Sequence, residues 1–209
     1  AYIGTLPGSR GAEQPIAVGT EMPEGVTTAQ VRAGSGDTAA VEMLFSTPID
    51  AISPRNEALA TVASAVIDAR LTRVVREAFG DSYSPFIVST LSSDPGPTVE
   101  TYVRVTGAVD RIDVIAETVI AQIDDIASGG LSADEYATAF RPVEEDYSFV
   151  DNGEYLRELT REVLIPDYDF DGYVFEADTL AGVDRGAVVA FVDRNIPSDR
   201  YVQVTTTPR

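Results

Sequence analysis

The stretch RVVREAFGDSYSPF, Arg73 to Phe86, decides how the rest of the chain is read. It holds the end of a long apolar helix, a glycine turn and the opening of a strand. Upstream, Ser53 followed by Pro54 is an N-cap and first-turn pair, and no further Gly or Pro interrupts the chain before Phe79. This predicts about 38 Å of helix at 1.5 Å per residue. Leu59, Val62, Ala63, Val66, Ile67, Leu71, Val74, Val75 and Ala78 cover more than a narrow stripe, so most of its circumference is expected in the core. Gly80 stands where a left-handed C-terminal cap would fall. Arg76 and Tyr83 sit seven positions apart around that turn. Both are donors, one with a permanent charge and a rigid fork of N–H groups, the other with a phenolic O–H. The plainer reading has Arg76 on a solvated helix face with Arg70 and Arg73, and Tyr83 packing at the start of a strand.

Working outward, Ala39 to Ser46 (AAVEMLFS) is an apolar run bounded by Gly36-Asp37 and Pro48, consistent with a buried strand. Phe86 to Ser92 and Thr98 to Thr106 are β-rich and flank the breakers Ser93 to Pro97, which predicts a hairpin. Tyr102, Arg104 and Thr106 alternate with Thr101, Val103 and Val105, as on a strand with one wet face. Asp110 is expected to cap a second helix with Ile112, Ile115, Val119, Ile123 and Ile126 on one side, ended by Gly129-Gly130. Ser132 and Glu135 have capping-box spacing and open a third helix, which Pro142 should kink or break. Further helices are expected over Asn152 to Leu164 and Val183 to Arg194, then a final strand, Tyr201 to Thr206. This order lacks regular βαβ alternation, so the expected class is α+β with a mainly antiparallel sheet. Residues 1–25 read as the tail of a preceding domain and a linker, leaving 26–209 as one α+β domain.

Composition narrows the function. Thirty-four acidic residues face 15 basic ones, all arginine, for a formal charge of −19. Such a chain is a poor partner for nucleic acid or anionic membranes, whose phosphates need cations. The missing lysine reads first as a GC-rich coding bias. No apolar run approaches the ~20 residues of a membrane span, so none is expected, and the compartment is left open. There is no cysteine and no histidine, which removes disulfides, thiolate metal sites and any hydrolase that uses a histidine base.

Four segments together resemble the C-terminal, non-metal-binding domain of the insulinase/pitrilysin family of zinc metallopeptidases. AYIGTLPG at the start is similar to the end of that family's preceding domain. NEALATVASAVIDARLTRVVREAFGDSYSP, Asn56 to Pro85, resembles its long helix, Arg-Glu-x-x-Gly turn and Tyr-Ser-Pro strand start. FRPVEEDYSFVDNGEYLREL, Phe140 to Leu159, resembles its Arg-Pro helix, and YVQVTTTP a closing strand. The resemblance implies an α/β roll, a mainly antiparallel sheet packed against helices. It also implies a zinc-bearing half, in the same polypeptide or a partner subunit, closing with this one around an extended peptide. That other half carries a His-x-x-Glu-His motif, so the zinc of the parent enzyme is not bound by this domain. By the same resemblance, Arg76 and Tyr83 bind the substrate carbonyl and stabilise the oxyanion of the tetrahedral intermediate. The alternative is a catalytically silent peptide-binding or scaffold homologue.

Asp167, Asp169, Asp171, Gly172, Val174 and Asp178 match the spacing of a calcium loop. Pro166 before the loop and Asp instead of Glu at its twelfth position speak for a solvated acidic loop. Gly34-Ser35-Gly36 precedes a strand, not a helix, and so is no phosphate cradle. The adjacent carboxylates Asp124-Asp125 and Glu144-Glu145 are taken as surface.

Overall fold

The computed structural model describes residues 22–80, 85–93, 96–148, 153, 156, 160, 180 and 182–209. Five strands, β1 (Val26–Arg32), β2 (Thr38–Pro48), β3 (Phe86–Ser92), β4 (Thr98–Ala108) and β5 (Tyr201–Thr207), form one sheet in the order β1-β5-β2-β4-β3. All pairings are antiparallel except β1 with β5. The helices are α1 (Pro54–Phe79), α2 (Ile112–Asp125), α3 (Ala133–Ser148) and α4 (Arg185–Asn195). The fold is α+β, with helices against one sheet face and, among the described residues, no element covering the other.

That asymmetry follows from the period-2 pattern of the two central strands. In β2, Ala39, Val41, Met43, Phe45 and Thr47 point inward, and in β4 Val99, Thr101, Val103, Val105 and Gly107 do the same. Ile67 and Leu71 of α1 and Ile115 and Ile123 of α2 are fully buried in the same core. The Phe45 and Tyr201 rings meet with centroids 5.2 Å apart.

α1 has the limits its sequence implies. The Ser53 hydroxyl accepts from the Asn56 N–H, and Pro54 occupies the first turn. Burial runs around most of the helix up to Val75, but Arg76, Glu77 and Ala78 are exposed, so the last turn projects beyond the core. Gly80 has the positive φ expected of it, 94°, yet its ψ of −176° is extended and not that of a left-handed cap. Its N–H still donates to the Arg76 carbonyl, 2.9 Å.

Other expectations need correcting. Asp110 does not cap α2: the Arg111 N–H bonds the Ala108 carbonyl at 3.0 Å, so the chain leaves β4 in a tight turn and the helix starts with no side-chain cap. Pro142 does not break α3, which continues to Ser148. Pro142 and Thr138 are both exposed, so the carbonyl released by the missing N–H reaches water. β1 carries no burial alternation, every residue being exposed at the sheet edge, which is why its residues send no strand signal. α4 starts two residues later than expected, at an Asp184 cap whose carboxylate accepts from the Ala187 N–H at 2.7 Å. The helix expected over Asn152 to Leu164 lies outside the described residues except at Gly153, Leu156 and Thr160.

Ile67→Ala, at a fully buried site, is expected to lower stability by about 2–5 kcal/mol in urea denaturation, whereas Val114→Ala, 52% exposed on α2, should change it by less than about 0.5 kcal/mol.

Candidate functional site

Arg70, Arg73 and Arg76 recur every three residues along α1, and the structure gives them three different environments. Arg70 is 5% exposed. Its guanidinium donates to Asp125 Oδ2 (2.5 Å), to the Gly130 carbonyl (2.9 Å) and to Glu135 Oε2 (2.8 Å). Arg73 is exposed but donates to Glu135 Oε1 at 2.5 Å. Arg76 is exposed and has no side-chain partner among the described residues. The plain reading of three arginines on one solvated face is therefore wrong for Arg70. Its position was legible: it falls three residues after Ile67 and seven after Ala63, on the buried stripe.

The Arg70 cluster pins α1 to the connection between α2 and α3. After α2 the chain makes a π-helical turn, Ile126–Gly130, with Gly129 at φ 92°, where a side chain would be strained. A side chain at Gly130 would collide with the Asp125 carboxylate that Arg70 holds. Ser132 and Glu135 then form the capping box: the Glu135 N–H donates to Ser132 Oγ (3.2 Å) and the Ser132 N–H to Glu135 Oε2 (3.1 Å). One carboxylate thus caps α3 and binds two arginines of α1. Partial burial would raise the Glu135 pKa, but the donors from Ser132 and Arg70 outweigh it and bring the group from 4.5 down to about 2. Asp125 is therefore more than a surface carboxylate, although its side chain is 56% exposed.

The open sheet face lies on the other side. β3 and β4 put Phe86 opposite Arg104 and Val88 opposite Tyr102, and β2 adds Glu42 beside Arg104 and Leu44 beside Tyr102. Val204 and Val202 of β5 continue these two rows. The Tyr102 hydroxyl donates to Glu42 Oε1 at 2.5 Å, and Arg104 Nε lies 3.6 Å from the same carboxylate. Burial, and then the Glu42 carboxylate, push the Tyr102 phenol up to about 12, so it stays a neutral donor at physiological pH. Phe86 and Tyr102 meet edge to face at 6.3 Å.

Tyr83 and the acidic loop from Asp167 to Asp178 lie outside the described residues, so the structure brings neither to a site. Among the described residues no group of three or more Asp or Glu is placed to hold a metal ion. No described helix is long and apolar enough to cross a membrane. What the described residues offer chemically is the Arg76 guanidinium, which has no side-chain partner among them, at the end of an anchored helix.

Scanned against known families the sequence matches none, and no curated protein matches it. Solved structures do match. The peptidase M16 inactive domain from Pseudomonas fluorescens superposes with a TM-score of 0.70 at 14% identity, over 98% of this chain and 47% of that one. The predicted insulinase family protease from Yersinia pestis gives 0.69 at 12%, over 99% and 47%. The first half of the periplasmic protease PqqL from Escherichia coli gives 0.64 at 12%, over 98% and 46%. The fold is thus that of M16-type, insulinase-like peptidase domains. This chain spans less than half the length of these neighbours, and only 21% of a ferredoxin protease, FusC, solved with Arabidopsis ferredoxin.

Because Glu135 has its pKa lowered on folding, its contribution is present above about pH 4.5 and is lost as pH falls toward 2. Glu135→Gln is expected to cost about 1–2 kcal/mol at pH 7, after allowance for solvent screening, with the difference from wild type shrinking below pH 4.5. Thermal melts of both proteins from pH 7 down to pH 3 check this.

Proposed function

We propose that this chain is the substrate-binding, non-metal half of a zinc endopeptidase. Arg76, on the projecting last turn of α1 and without a side-chain partner among the described residues, is the observation that carries this reading. With Tyr83 it would donate to the carbonyl of the scissile peptide from the side opposite the metal and stabilise the oxyanion, a role worth about 3 kcal/mol per donor. The zinc comes from a second half, in the same polypeptide or in a partner subunit, and activates the attacking water there.

Two facts support the assignment. The fold is shared with M16-type peptidase domains, one of them described as an inactive domain. Because the first half of PqqL matches as well, fold alone does not say which half this is. What favours the non-metal half is chemistry: a chain with no histidine cannot supply a His-x-x-Glu-His site. The extended substrate passes between the halves, and Arg76 meets it as the one arginine of the three with its donors uncommitted among the described residues.

In the assembled protease, Arg76→Ala and Tyr83→Phe are each expected to lower kcat by roughly 100-fold while leaving folding and zinc content unchanged. Steady-state kinetics with zinc analysis checks this, and near wild-type kcat/KM in both variants would remove the two residues from the mechanism.

A further inference from the structure

The open sheet face is unusual for this chain. In a protein with a formal charge of −19, the paired rows of β2, β4 and β3 hold only two carboxylates, Glu42 and Glu100. Glu42 is already committed to Tyr102 and Arg104. Around it stand Phe86, 55% exposed, Leu44, 39% exposed, and Val88 on the same row as Leu44, across Tyr102. An aromatic pair fixed edge to face, with apolar neighbours and a self-neutralised charge, is a surface depleted of charge in the way protein contacts are.

Resting on the proposed function, the geometry points to this patch as a subsite that holds a large apolar or aromatic side chain of the bound peptide. Size selects a peptide over a folded partner. Two rows across β2, β4 and β3 cover on the order of 200 Å², far below the ~800 Å² per partner of a stable protein interface. Position agrees with the reading of Tyr83. Phe86 follows it by three residues, so the two backbones are separated by at most about 10 Å of chain. The side chain held on Phe86 and Tyr102 therefore belongs to a residue within about three positions of the bond that is cut. Phe86 and the Tyr102 ring provide an edge and a face for a third aromatic group, and the bond to Glu42 stops the Tyr102 hydroxyl from seeking other partners.

The test uses the whole 209-residue chain, which has no tryptophan, so the fluorescence of a probe peptide is seen without background. The probe is a short peptide of alanine, serine and glycine with one central tryptophan, compared by competition with its tryptophan-to-alanine counterpart. Binding of the tryptophan peptide, weakened at least about fivefold by Phe86→Ala and by Leu44→Ser but unchanged by Val114→Ala, is the expected result. Equal affinity for the two peptides, or indifference to both patch variants, overturns the inference. So does a dimer by light scattering that Phe86→Ala dissolves, since the occupant is then a second copy. Failure of the protease reading has a different signature: the patch still binds the probe while Arg76→Ala leaves turnover of the assembled enzyme untouched.

Discussion

The arrangement depends on one buried charge. Arg70 sits in the core-facing stripe of α1, where an unpaired guanidinium would cost several kcal/mol, so the chain must bring carboxylates to it. It does so through the connection from α2 to α3. Asp125 ends α2, Gly130 leaves its carbonyl and an empty Cβ position, and Glu135 arrives with the first turn of α3. The sequence separation is large, 55 to 65 residues, so this cluster ties together elements that share no local contacts. Removing Glu135 would leave Arg73 without its carboxylate and Arg70 with Asp125 alone, so this residue holds the cluster together. In this domain the cluster ties the C-terminal part of α1, at Arg70 and Arg73, to the end of α2 and the start of α3.

The last turn of α1 is the functional end of the molecule if Arg76 meets the substrate as proposed. Up to Val75 the helix is held by packing; beyond it Arg76 stands in solvent with its donors uncommitted among the described residues. Arg73, one turn earlier, is held by the same Glu135 that holds Arg70. A helix fixed by its buried arginine and free at its exposed one is suited to offering a donor at a defined position. Catalysis by oriented donors requires that orientation before the charge develops, since donors that must reorganise contribute little. On the sheet face away from the helices, β2, β4 and β3 present a weakly charged floor that carries two carboxylates, Glu42 and Glu100, the first of them engaged by Tyr102 and Arg104.

Much of this is legible in the residues, for identifiable reasons. Ser53-Pro54 and Gly80 bound α1, and the capping box at Ser132 and Glu135 marks α3, because these signals act locally. The alternation in β4 reveals which face is covered, because only one face is. Edge strand β1 escapes a sequence reading since neither of its faces is buried, and hydrophobic alternation is the main signal a strand sends in advance. Asp110 misleads because a good capping residue is used by a turn instead. The site is legible in part: Arg76 stands out, but the environment of Arg70 depends on carboxylates 55 and more residues away, which no local pattern discloses. Tyr83 and the acidic loop from Asp167 rest on the sequence alone.

Complementation is the most direct measurement. The 209-residue chain and the proposed zinc-bearing half, prepared separately, are assayed alone and mixed for cleavage of an unstructured peptide. The predicted result is no cleavage by either part and zinc-dependent cleavage by the mixture. A zinc-bearing half that is fully active by itself, or a mixture that stays inactive although the parts associate, would contradict the assignment of this domain to substrate binding in catalysis.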